Sequence, residues 1–515
     1  MMLIGDMVTN NARRIPDHEG LIWEKERITW AELNRRVNRL ANGLVGLGLR
    51  PGSRVAFLLN NCKEIVELYY AIAKIGCVSV PIMPRSVGRE IAHIANNVEA
   101  SMLVVGAPHA GLVEEVREEL KSVGVVMGVG DNHPFKVDYN ELIGKSSDAE
   151  PRIKVNPDSI YAIFHTSGTT GRPKGCMLQH GSKMTSNLGL LAHLPHREDD
   201  RALIFTPLNL SLGADMLHTQ VLRGIPTVLL PKFDEIELLE TIERERISLT
   251  FVIESTFDRL VTRPDLDKYD LGSIRYLWAT SATRDAREGI RRLRKVKSFQ
   301  GQFWNAYGST ETGGSVTFCS PCEIDRAFED PGLSYVFKSI GRESMLSRVD
   351  CVDDDGNPLP RGDIGEMVIS SPGLFSGYWN QPEQTREVLR DGRYFTGDLA
   401  RKDENGYIYL EGRKKDMIKS GGINVYPAEI EDVLRGFSKL AEVAVVGIPD
   451  EHWGEKVVAC VVASTPCTEE EVLNYCADKL AGFKRPKSVV FLNSLPTDKA
   501  GKILKRELRD SLSKK

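Results

Sequence analysis

The sequence predicts an α/β fold: a large N-terminal domain of stacked, helix-covered sheets with a small mobile C-terminal α+β domain. In the first half of the chain, short apolar runs alternate with segments of helical periodicity, which is typical of parallel sheets covered by helices. Beyond about Gly412 the segments become short and rich in basic residues. The 515 residues leave room for roughly three domains of average length.

The first predicted helix begins at residues 29–32, where Thr29 and Glu32 have the spacing of a capping box. In this motif the hydroxyl and the carboxylate both accept hydrogen bonds from free amide groups at the helix start. Gly48 and Pro51 end the helix. Apolar residues that share one helical face mark its buried side: Leu33, Val37, Leu40, Ala41 and Leu44.

Strands and helices continue to alternate after this helix. Short apolar runs predict buried strands, and helical patterns predict the helices between them. The predicted strands are 55–59, 77–80, 102–105 and 161–164, and the predicted helices are 64–74 and 91–97.

The tail has a compact α+β pattern, with strands predicted at 443–446 and 457–462 and a helix at 469–480. The charged stretch 411–416 before it has no continuous apolar face. The predicted domains are therefore residues 1–414 and 415–515.

Composition excludes several classes of function. The chain carries 67 basic and 71 acidic side chains, for a net charge of -4, so nucleic acid is not an expected partner. Residues 1–14 lack the apolar core of a signal peptide, and no apolar run is long enough to span a membrane. Nine scattered cysteines suit a reducing compartment, so a cytoplasmic location is expected. Cys319 and Cys322 form a lone CxxC, which favours a loop over a metal site.

The most informative motif is the glycine-rich stretch 166–175, which follows the predicted strand 161–164. Its three glycines allow tight turns that aim amide hydrogens at an anion, and its hydroxyl groups and Lys174 add donors and charge. The spacing differs from a Walker A loop. A flexible linker has a similar composition but rarely follows a buried strand directly. The stretch therefore predicts a cradle for nucleotide phosphates.

This loop resembles the signature of the adenylate-forming superfamily, which includes acyl- and aryl-CoA synthetases, peptide-synthetase adenylation domains and firefly-type luciferases. Four later stretches resemble the other signatures of that superfamily, in the same order. They are 305–311, 394–398, the run from 412–416 to 427–431, and 496–502. Because five stretches match in order, the resemblance covers nearly the whole chain.

The resemblance implies roles for individual residues. Tyr307 would stack on adenine, Asp398 would bridge the ribose hydroxyls, and Glu311 would be the ligand of Mg²⁺, a cation that prefers carboxylate, water and phosphate oxygens. Lys502 would be the main catalytic residue, with Glu311, Thr310 and Thr166. The implied ATP- and AMP-binding residues are Thr166, Ser167, Gly168, Thr169, Thr170, Lys174, Asn305, Ala306, Tyr307, Gly308, Thr310, Asp398, Arg413 and Lys502.

The same resemblance implies a hinge at Lys415 and a site for coenzyme A at Lys419, Ser420, Gly421 and Gly422. The implied acyl pocket is formed by Ser211, Gly213, Trp278, Ser281, Ala282 and Gly313, and here the chain departs from the family pattern. The pocket-matching positions carry no Arg, Lys or Asp. Two acidic residues, Asp215 and Glu254, stand near them in the sequence. The expected acid is therefore apolar, either aliphatic, alicyclic or aromatic.

The implied reaction joins a carboxylic acid to coenzyme A at the expense of ATP, with AMP and pyrophosphate as products and Mg²⁺ as cofactor. One alternative is an adenylating enzyme with another acceptor, such as a carrier protein. A second is a catalytically silent binding homologue, although Glu311, Asp398 and Lys502 are all retained. A homodimer is one assembly that the sequence allows.

Overall fold

In a computed structural model of the chain, the described residues are 2–166, 173–194, 196–280, 286–421, 423–497 and 503–513. The strands are β1 (Glu19–Trp23), β2 (Glu26–Thr29), β3 (Arg54–Leu58), β4 (Val78–Pro81), β5 (Met102–Gly106), β6 (Val125–Val129), β7 (Val137–Asp138), β8 (Ile160–Thr166), β9 (Lys174–Gln179), β10 (Ala202–Ile204), β11 (Thr227–Leu229), β12 (Leu249–Ile253), β13 (Tyr276–Thr280), β14 (Gln302–Ser309), β15 (Gly314–Cys319), β16 (Arg342–Glu343), β17 (Arg348–Val352), β18 (Gly365–Ser370), β19 (Leu389–Arg390), β20 (Arg393–Lys402), β21 (Ile408–Arg413), β22 (Ile418–Ser420), β23 (Ile423–Val425), β24 (Leu440–Asp450), β25 (Gly454–Ala463) and β26 (Ser488–Phe491).

The helices are α1 (Asp6–Arg14), α2 (Trp30–Gly46), α3 (Lys63–Lys74), α4 (Gly88–Asn97), α5 (Ala110–Glu115), α6 (Tyr139–Lys145), α7 (His180–His193), α8 (Ser211–Arg223), α9 (Glu235–Glu245), α10 (Glu254–Val261), α11 (Arg287–Lys295), α12 (Pro321–Glu329), α13 (Pro382–Val388), α14 (Pro427–Arg435), α15 (Glu469–Ala477) and α16 (Lys505–Leu512). Short 3₁₀ turns lie at Ala107–His109, Arg117–Glu119, Leu266–Lys268, Pro331–Lys338 and Lys414–Asp416. Among the described helices, none is long and apolar enough to cross a membrane.

Two large sheets contain most of the N-terminal strands. Within the described ranges, one has seven strands in the order β7-β6-β5-β3-β4-β8-β9, all parallel except the β8–β9 pair. The other has nine, in the order β16-β15-β14-β13-β12-β10-β11-β1-β2, with parallel pairs from β1 to β14. A single apolar core joins α2, α3, α7 and α8 to both sheets. The parallel, helix-covered sheets predicted for this half are confirmed.

A third sheet of five strands, β17 to β21, follows the two large sheets, and a fourth is built from β22 to β26 in the described part of the tail. Side chains of β24 alternate between two small cores. Val443 and Val445 belong to the core under α14 and α15, and Ala444 and Val446 to the core under α16. The smaller C-terminal α+β unit is thus present, and the predicted fold class is confirmed, whereas its mobility and the boundary after residue 414 stay predictions.

Local predictions near the N-terminus hold with one correction. The predicted face of α2 is buried throughout. Thr29 Oγ1 accepts from the amide of Glu32 at 3.3 Å, as a capping residue should. The Glu32 carboxylate, however, bonds Arg35 one turn later at 2.6 Å and does not return to the Thr29 amide. The capping-box prediction is therefore wrong in its second half, because a nearby guanidinium competes for the carboxylate.

Asn61 joins the two large sheets. This buried amide donates to the carbonyls of Thr206 and Leu230, both at 3.1 Å, and accepts from the amide of Leu208 at 2.8 Å. Thr206 and Leu208 follow β10 and Leu230 follows β11, whereas Asn61 follows β3. One side chain therefore satisfies backbone groups beyond the ends of strands in both sheets.

We expect Asn61→Ala to lower the free energy of unfolding by about 2–3 kcal/mol, because it leaves buried backbone groups unpaired. For a domain of this size that loss lowers Tm by about 2–4 °C. Differential scanning calorimetry measures the shift, with Asn140→Ala on the exposed side of α6 as the matched control. Equal Tm values for the two variants would show that Asn61 does not hold the sheets together.

Candidate active site

Two of the predicted catalytic residues lie beyond the carboxyl end of a parallel strand, where α/β sheets usually bind ligands. Thr310 and Glu311 follow β14, and Ser211 begins α8 after β10. The hydroxyls of Ser211 and Thr310 lie 2.8 Å apart, so either can donate to the other. The structure thus brings a residue predicted for the acyl pocket into contact with one predicted for the phosphates.

The glycine-rich loop connects two antiparallel strands. Thr166 ends β8 and Lys174 begins β9, and the two residues are direct cross-strand partners. Ser167, Gly168, Thr169 and Thr170 lie between them and outside the described residues. Both ends of the loop therefore lie at an edge of the seven-stranded sheet. The strand before the loop was predicted, whereas β9 was not.

Tyr378 links Lys174 to Glu311. Its hydroxyl donates to Glu311 Oε1 at 2.9 Å, and Lys174 Nζ lies 4.9 Å from the centre of its ring. The backbone amide of Phe375 also donates to the carbonyl of Glu311 at 2.9 Å. Burial, and then the nearby Glu311 carboxylate, raise the pKa of Tyr378, so its hydroxyl stays a donor.

Sequence reasoning missed Tyr378. It lies in the run Gly377-Tyr378-Trp379, which has neither helical nor strand periodicity. The only local signal is an aromatic pair after a glycine, and here Gly377 has a positive φ of 125°. The role of Tyr378 follows from contacts with residues more than 60 positions away in the chain.

Asp398 is held on both oxygens. Arg413 Nε lies 2.6 Å from Oδ1, and the Tyr307 hydroxyl donates to Oδ2 at 2.5 Å. Asp398 and Arg413 are direct partners across β20 and β21. Burial raises the pKa of Tyr307, and the Asp398 carboxylate raises it further. A carboxylate has about four acceptor positions, so Asp398 can still accept from two hydroxyls of a ligand.

Three other residues that were predicted to bind the nucleotide hold strand β14 in place. The Asn305 amide donates to the carbonyl of Ser339 at 3.0 Å, and Ala306 is fully buried. Gly308 packs directly against the backbone of Gly314 on β15, leaving no room for a side chain. These contacts set where Tyr307 and Thr310 lie, and direct contact of the three residues with a nucleotide stays a prediction.

The implied acyl pocket is described in part. Gly213 packs against the backbone of Pro207, and the buried Trp278 ring packs on Phe251 and Phe318 at centroid distances of 5.5 and 6.1 Å. The carbonyl of Gly313 accepts from Lys183 Nζ at 2.6 Å. Ser281 and Ala282 lie outside the described residues, and Glu254 is the first residue of α10.

Lys183 and Asp215 form a buried ion pair beside Gly313. The sequence pattern indicates Asp215 as one of two acidic residues near the implied pocket, but it does not indicate Lys183. Lys183 lies on α7, where polar residues are mixed with apolar ones, so periodicity does not show which side faces inward. A buried charge is uncommon enough to mark the position as unusual.

Residues of the tail are also described in part. Lys415 lies in the 3₁₀ turn Lys414–Asp416, and desolvation lowers its pKa. Lys419 is exposed, whereas Ser420 is buried and its hydroxyl has no hydrogen-bond partner in the described residues. Gly421 has a positive φ of 59°, and its amide donates to the carbonyl of Trp453 at 2.7 Å. Gly422 and Lys502 lie outside the described residues.

The described residues hold no group of three or more His, Cys, Asp or Glu that could bind a metal by themselves. Glu311 supplies a single oriented carboxylate. That fits Mg²⁺, which keeps several waters and usually takes one or two protein carboxylates together with phosphate oxygens. Cys319 is buried and Cys322 exposed, both as free thiols.

The chain is similar to proteins of known activity. Residues 8–379 match the model of AMP-binding enzymes, and residues 429–502 that of the AMP-binding enzyme C-terminal domain. A feruloyl-CoA synthase of Amycolatopsis is 36% identical over 98% of both chains. A long-chain-fatty-acid–CoA ligase of Mycobacterium tuberculosis is 33% identical over 95% of this chain and 93% of its own. An anthranilate CoA ligase solved with anthranoyl-AMP superposes with a TM-score of 0.89 at 25% identity, covering 100% of this chain and 97% of its own.

Glu311→Gln should raise the Mg²⁺ concentration for half-maximal ATP–pyrophosphate exchange by about 10-fold or more, because the amide removes a charged metal ligand. Tyr378→Phe should shift it in the same direction by less, since only the hydrogen bond that orients the carboxylate is lost. Tyr409→Phe is the control, because it removes an equivalent bond to Asp403, outside the site. An unchanged metal dependence in Glu311→Gln would exclude Glu311 as the ligand.

Proposed function

Because this chain belongs to the AMP-binding enzyme family, we propose that it activates a carboxylic acid with ATP as an acyl-AMP and transfers the acyl group to coenzyme A. The products are acyl-CoA, AMP and pyrophosphate. The observation that carries the proposal is the position of Thr310. Its hydroxyl contacts Ser211 on the proposed acyl side. The adjacent Glu311 accepts a hydrogen bond from Tyr378, and the Tyr378 ring also contacts Lys174 on the proposed phosphate side.

In the first half-reaction, the carboxylate of the acid attacks the α-phosphorus of ATP, and the bond to pyrophosphate breaks. Both reactants are anionic, so positive charge must offset their repulsion. Lys174 is proposed to supply part of that charge, and Thr310 to donate a hydrogen bond to the α-phosphate. Mg²⁺, when bound at Glu311, would neutralise charge on the phosphate oxygens. Lys502 is proposed to interact with both the attacking carboxylate and the α-phosphate.

Two residues are proposed to hold the nucleoside. Asp398 keeps acceptor positions for the ribose hydroxyls even while it pairs with Arg413 and Tyr307. The Tyr307 ring would lie against adenine, and its hydroxyl bond to Asp398 fixes the ring. The same aspartate thus positions both the sugar and the surface on which the base stacks.

The second half-reaction requires the tail to move. During adenylation Lys502 must occupy the space beside the carbonyl carbon that the thiol of coenzyme A later attacks. We therefore propose a C-terminal domain of residues 415–515 that turns about Lys415, so that Lys419, Ser420, Gly421 and Gly422 meet the pantetheine arm. A few backbone dihedrals are enough for such a hinge.

The acid is proposed to be largely apolar, either aliphatic, alicyclic or aromatic. The similar enzymes named above act on feruloyl, long-chain fatty and anthranoyl groups, all with apolar bodies. The buried rings of Trp278 and Phe318 pack together and are proposed to form an apolar wall of the acyl pocket. A cytoplasmic location and a homodimeric assembly are proposed with it.

ATP–pyrophosphate exchange across a panel of carboxylic acids tests the first half-reaction, and thioester formation with coenzyme A tests the second. Exchange with at least one apolar acid, followed by transfer to coenzyme A, is expected. Transfer only to the phosphopantetheine of a carrier protein would favour that acceptor instead. Nucleotide binding without exchange for any acid would favour a silent homologue.

Lys502→Ala is expected to slow adenylation by on the order of 10²-fold or more, because it removes a charge directed at the transition state. Transfer from pre-made acyl-AMP to coenzyme A should stay near normal, because that step does not use the charge. Single-turnover assays of the two steps separate these effects. Lys499→Ala, three residues earlier, is the control, and near-normal adenylation in Lys502→Ala would contradict the assignment.

Lys415→Pro should keep pyrophosphate exchange and lose most thioester formation. Proline fixes φ near −65° and removes an amide hydrogen, which restricts a hinge more than a static turn. Lys415→Ala removes the same charge without restricting the backbone and should keep both activities. If proline slows both half-reactions alike, or neither, the hinge lies elsewhere.

A further inference from the structure

The buried pair formed by Lys183 and Asp215 does not take part in the chemistry proposed above. The Lys183 side chain has no solvent-exposed surface, and that of Asp215 is 13% exposed. Burying two charges costs several kcal/mol each before their attraction is counted, and apolar residues of similar size would often be as stable. The pair therefore calls for a functional explanation.

The position of Asp215 relates it to the acyl side of the site. It lies four residues after Ser211 on α8, so both side chains are on one face of the helix, about 6 Å apart along its axis. Ser211 contacts Thr310. Starting from the carboxylate of a bound acid near Thr310, Asp215 is one helical turn further along α8.

The Gly313–Gly314 turn, which follows Thr310, lies next to the Lys183–Asp215 pair. Lys183 Nζ and Ser186 Oγ both donate to the carbonyl of Gly313, at 2.6 and 3.0 Å. A Cβ atom placed on Gly314 would lie 3.7 Å from Asp215 Oδ2. The same atom would lie only 2.6 Å from Ser186 Oγ, so Asp215 Oδ2 and the Ser186 hydroxyl both border the position where Gly314 has no side chain.

The two oxygens of Asp215 are not equivalent. Oδ1 pairs with Lys183, whereas Oδ2 lies on the side of Gly314. Burial raises the pKa of Asp215 to about 6, and the Lys183 ammonium limits the rise, so the group is a carboxylate at neutral pH. Oδ2 is thus the oxygen through which Asp215 can accept a hydrogen bond from a ligand.

We propose that Asp215 Oδ2 accepts a hydrogen bond from a neutral hydroxyl or N–H group on the distal part of the acid, and so makes the enzyme selective for acids that carry such a group. This inference rests on the proposed function and refines its apolar acid to one with a polar end. An ammonium group would add a second cation next to Lys183. A second carboxylate would face Asp215 itself.

A purely structural role makes a different prediction. If the ion pair only holds the Gly313 backbone in place, its loss disturbs Thr310 and slows the reaction of all acids alike. If Asp215 accepts a hydrogen bond from the substrate, its loss lowers kcat/KM only for acids that carry the donor. Discrimination by a buried acceptor is strong, because an acid without the donor leaves that acceptor unpaired.

The experiment compares matched acids that differ by one hydroxyl: para-hydroxycinnamic against cinnamic acid, and ω-hydroxyhexanoic against hexanoic acid. The measurement is the ratio of kcat/KM values for acyl-CoA formation within each pair. Both values come from one enzyme sample, so the ratio does not depend on how much of a variant is folded. We expect the wild type to prefer the hydroxylated acid by at least about 10-fold in one pair, the effect of roughly 1.4 kcal/mol.

Asp215→Leu should lower that ratio to about one or below, and Asp215→Asn should keep part of it, because the amide oxygen still accepts. Asp200→Asn is the matched control. Asp200 is a buried carboxylate paired with Arg275 before the amino ends of β10 and β13, and its loss should not change the ratio.

A wild-type ratio near one in both pairs, or a ratio that Asp215→Leu leaves unchanged, would overturn the inference while the proposed ligase activity stands. A complete lack of pyrophosphate exchange with every acid would overturn the proposed function, and this inference with it. Equal slowing of both acids by Asp215→Leu would assign the pair to structure alone.

Discussion

The arrangement of the site depends on electrostatic repulsion between a carboxylate and a triphosphate that must be brought into contact. Charge and hydrogen-bond donors have to be in place before the reactants meet, because reorganising them during the reaction would raise the barrier. The carboxyl ends of parallel strands suit this purpose, since loops from several strands converge there. Tyr378 illustrates how this is done, because one buried side chain positions both a cation and a carboxylate.

The nucleoside part of the site is close in sequence to the proposed hinge. Asp398 pairs with Arg413, and the turn Lys414–Asp416 begins at the next residue. Lys414 itself pairs with Glu366 and Asp354, which holds the first residue of the turn against the third sheet. The proposed rotation of the tail would therefore start directly beside the residue proposed to hold the ribose, so nucleotide binding and domain movement would involve neighbouring residues.

Polar groups buried away from the catalytic atoms have two kinds of role in this protein. Asn61 satisfies backbone groups at the junction of the two large sheets, and all its partners are main-chain atoms. Asp215 differs, because only its Oδ1 pairs with Lys183, and its Oδ2 lies next to Gly314. A satisfied amide stabilises the fold, whereas Asp215 Oδ2 is proposed to accept a hydrogen bond from the acid.

Much of the fold and the order of the motifs followed from the sequence alone. The α2 face, the alternation of strands and helices and the glycine-rich loop after a buried strand depend on local periodicity and on glycine placement, which neighbouring residues determine. The Glu32–Arg35 contact is local, between residues three apart on one helix, whereas tertiary structure alone decided that Tyr378 joins Lys174 to Glu311 and that Lys183 faces Asp215. The last two contacts join residues far apart in the chain, and their energies depend on burial and distance. No local pattern encodes either quantity, because both arise only when distant segments pack together.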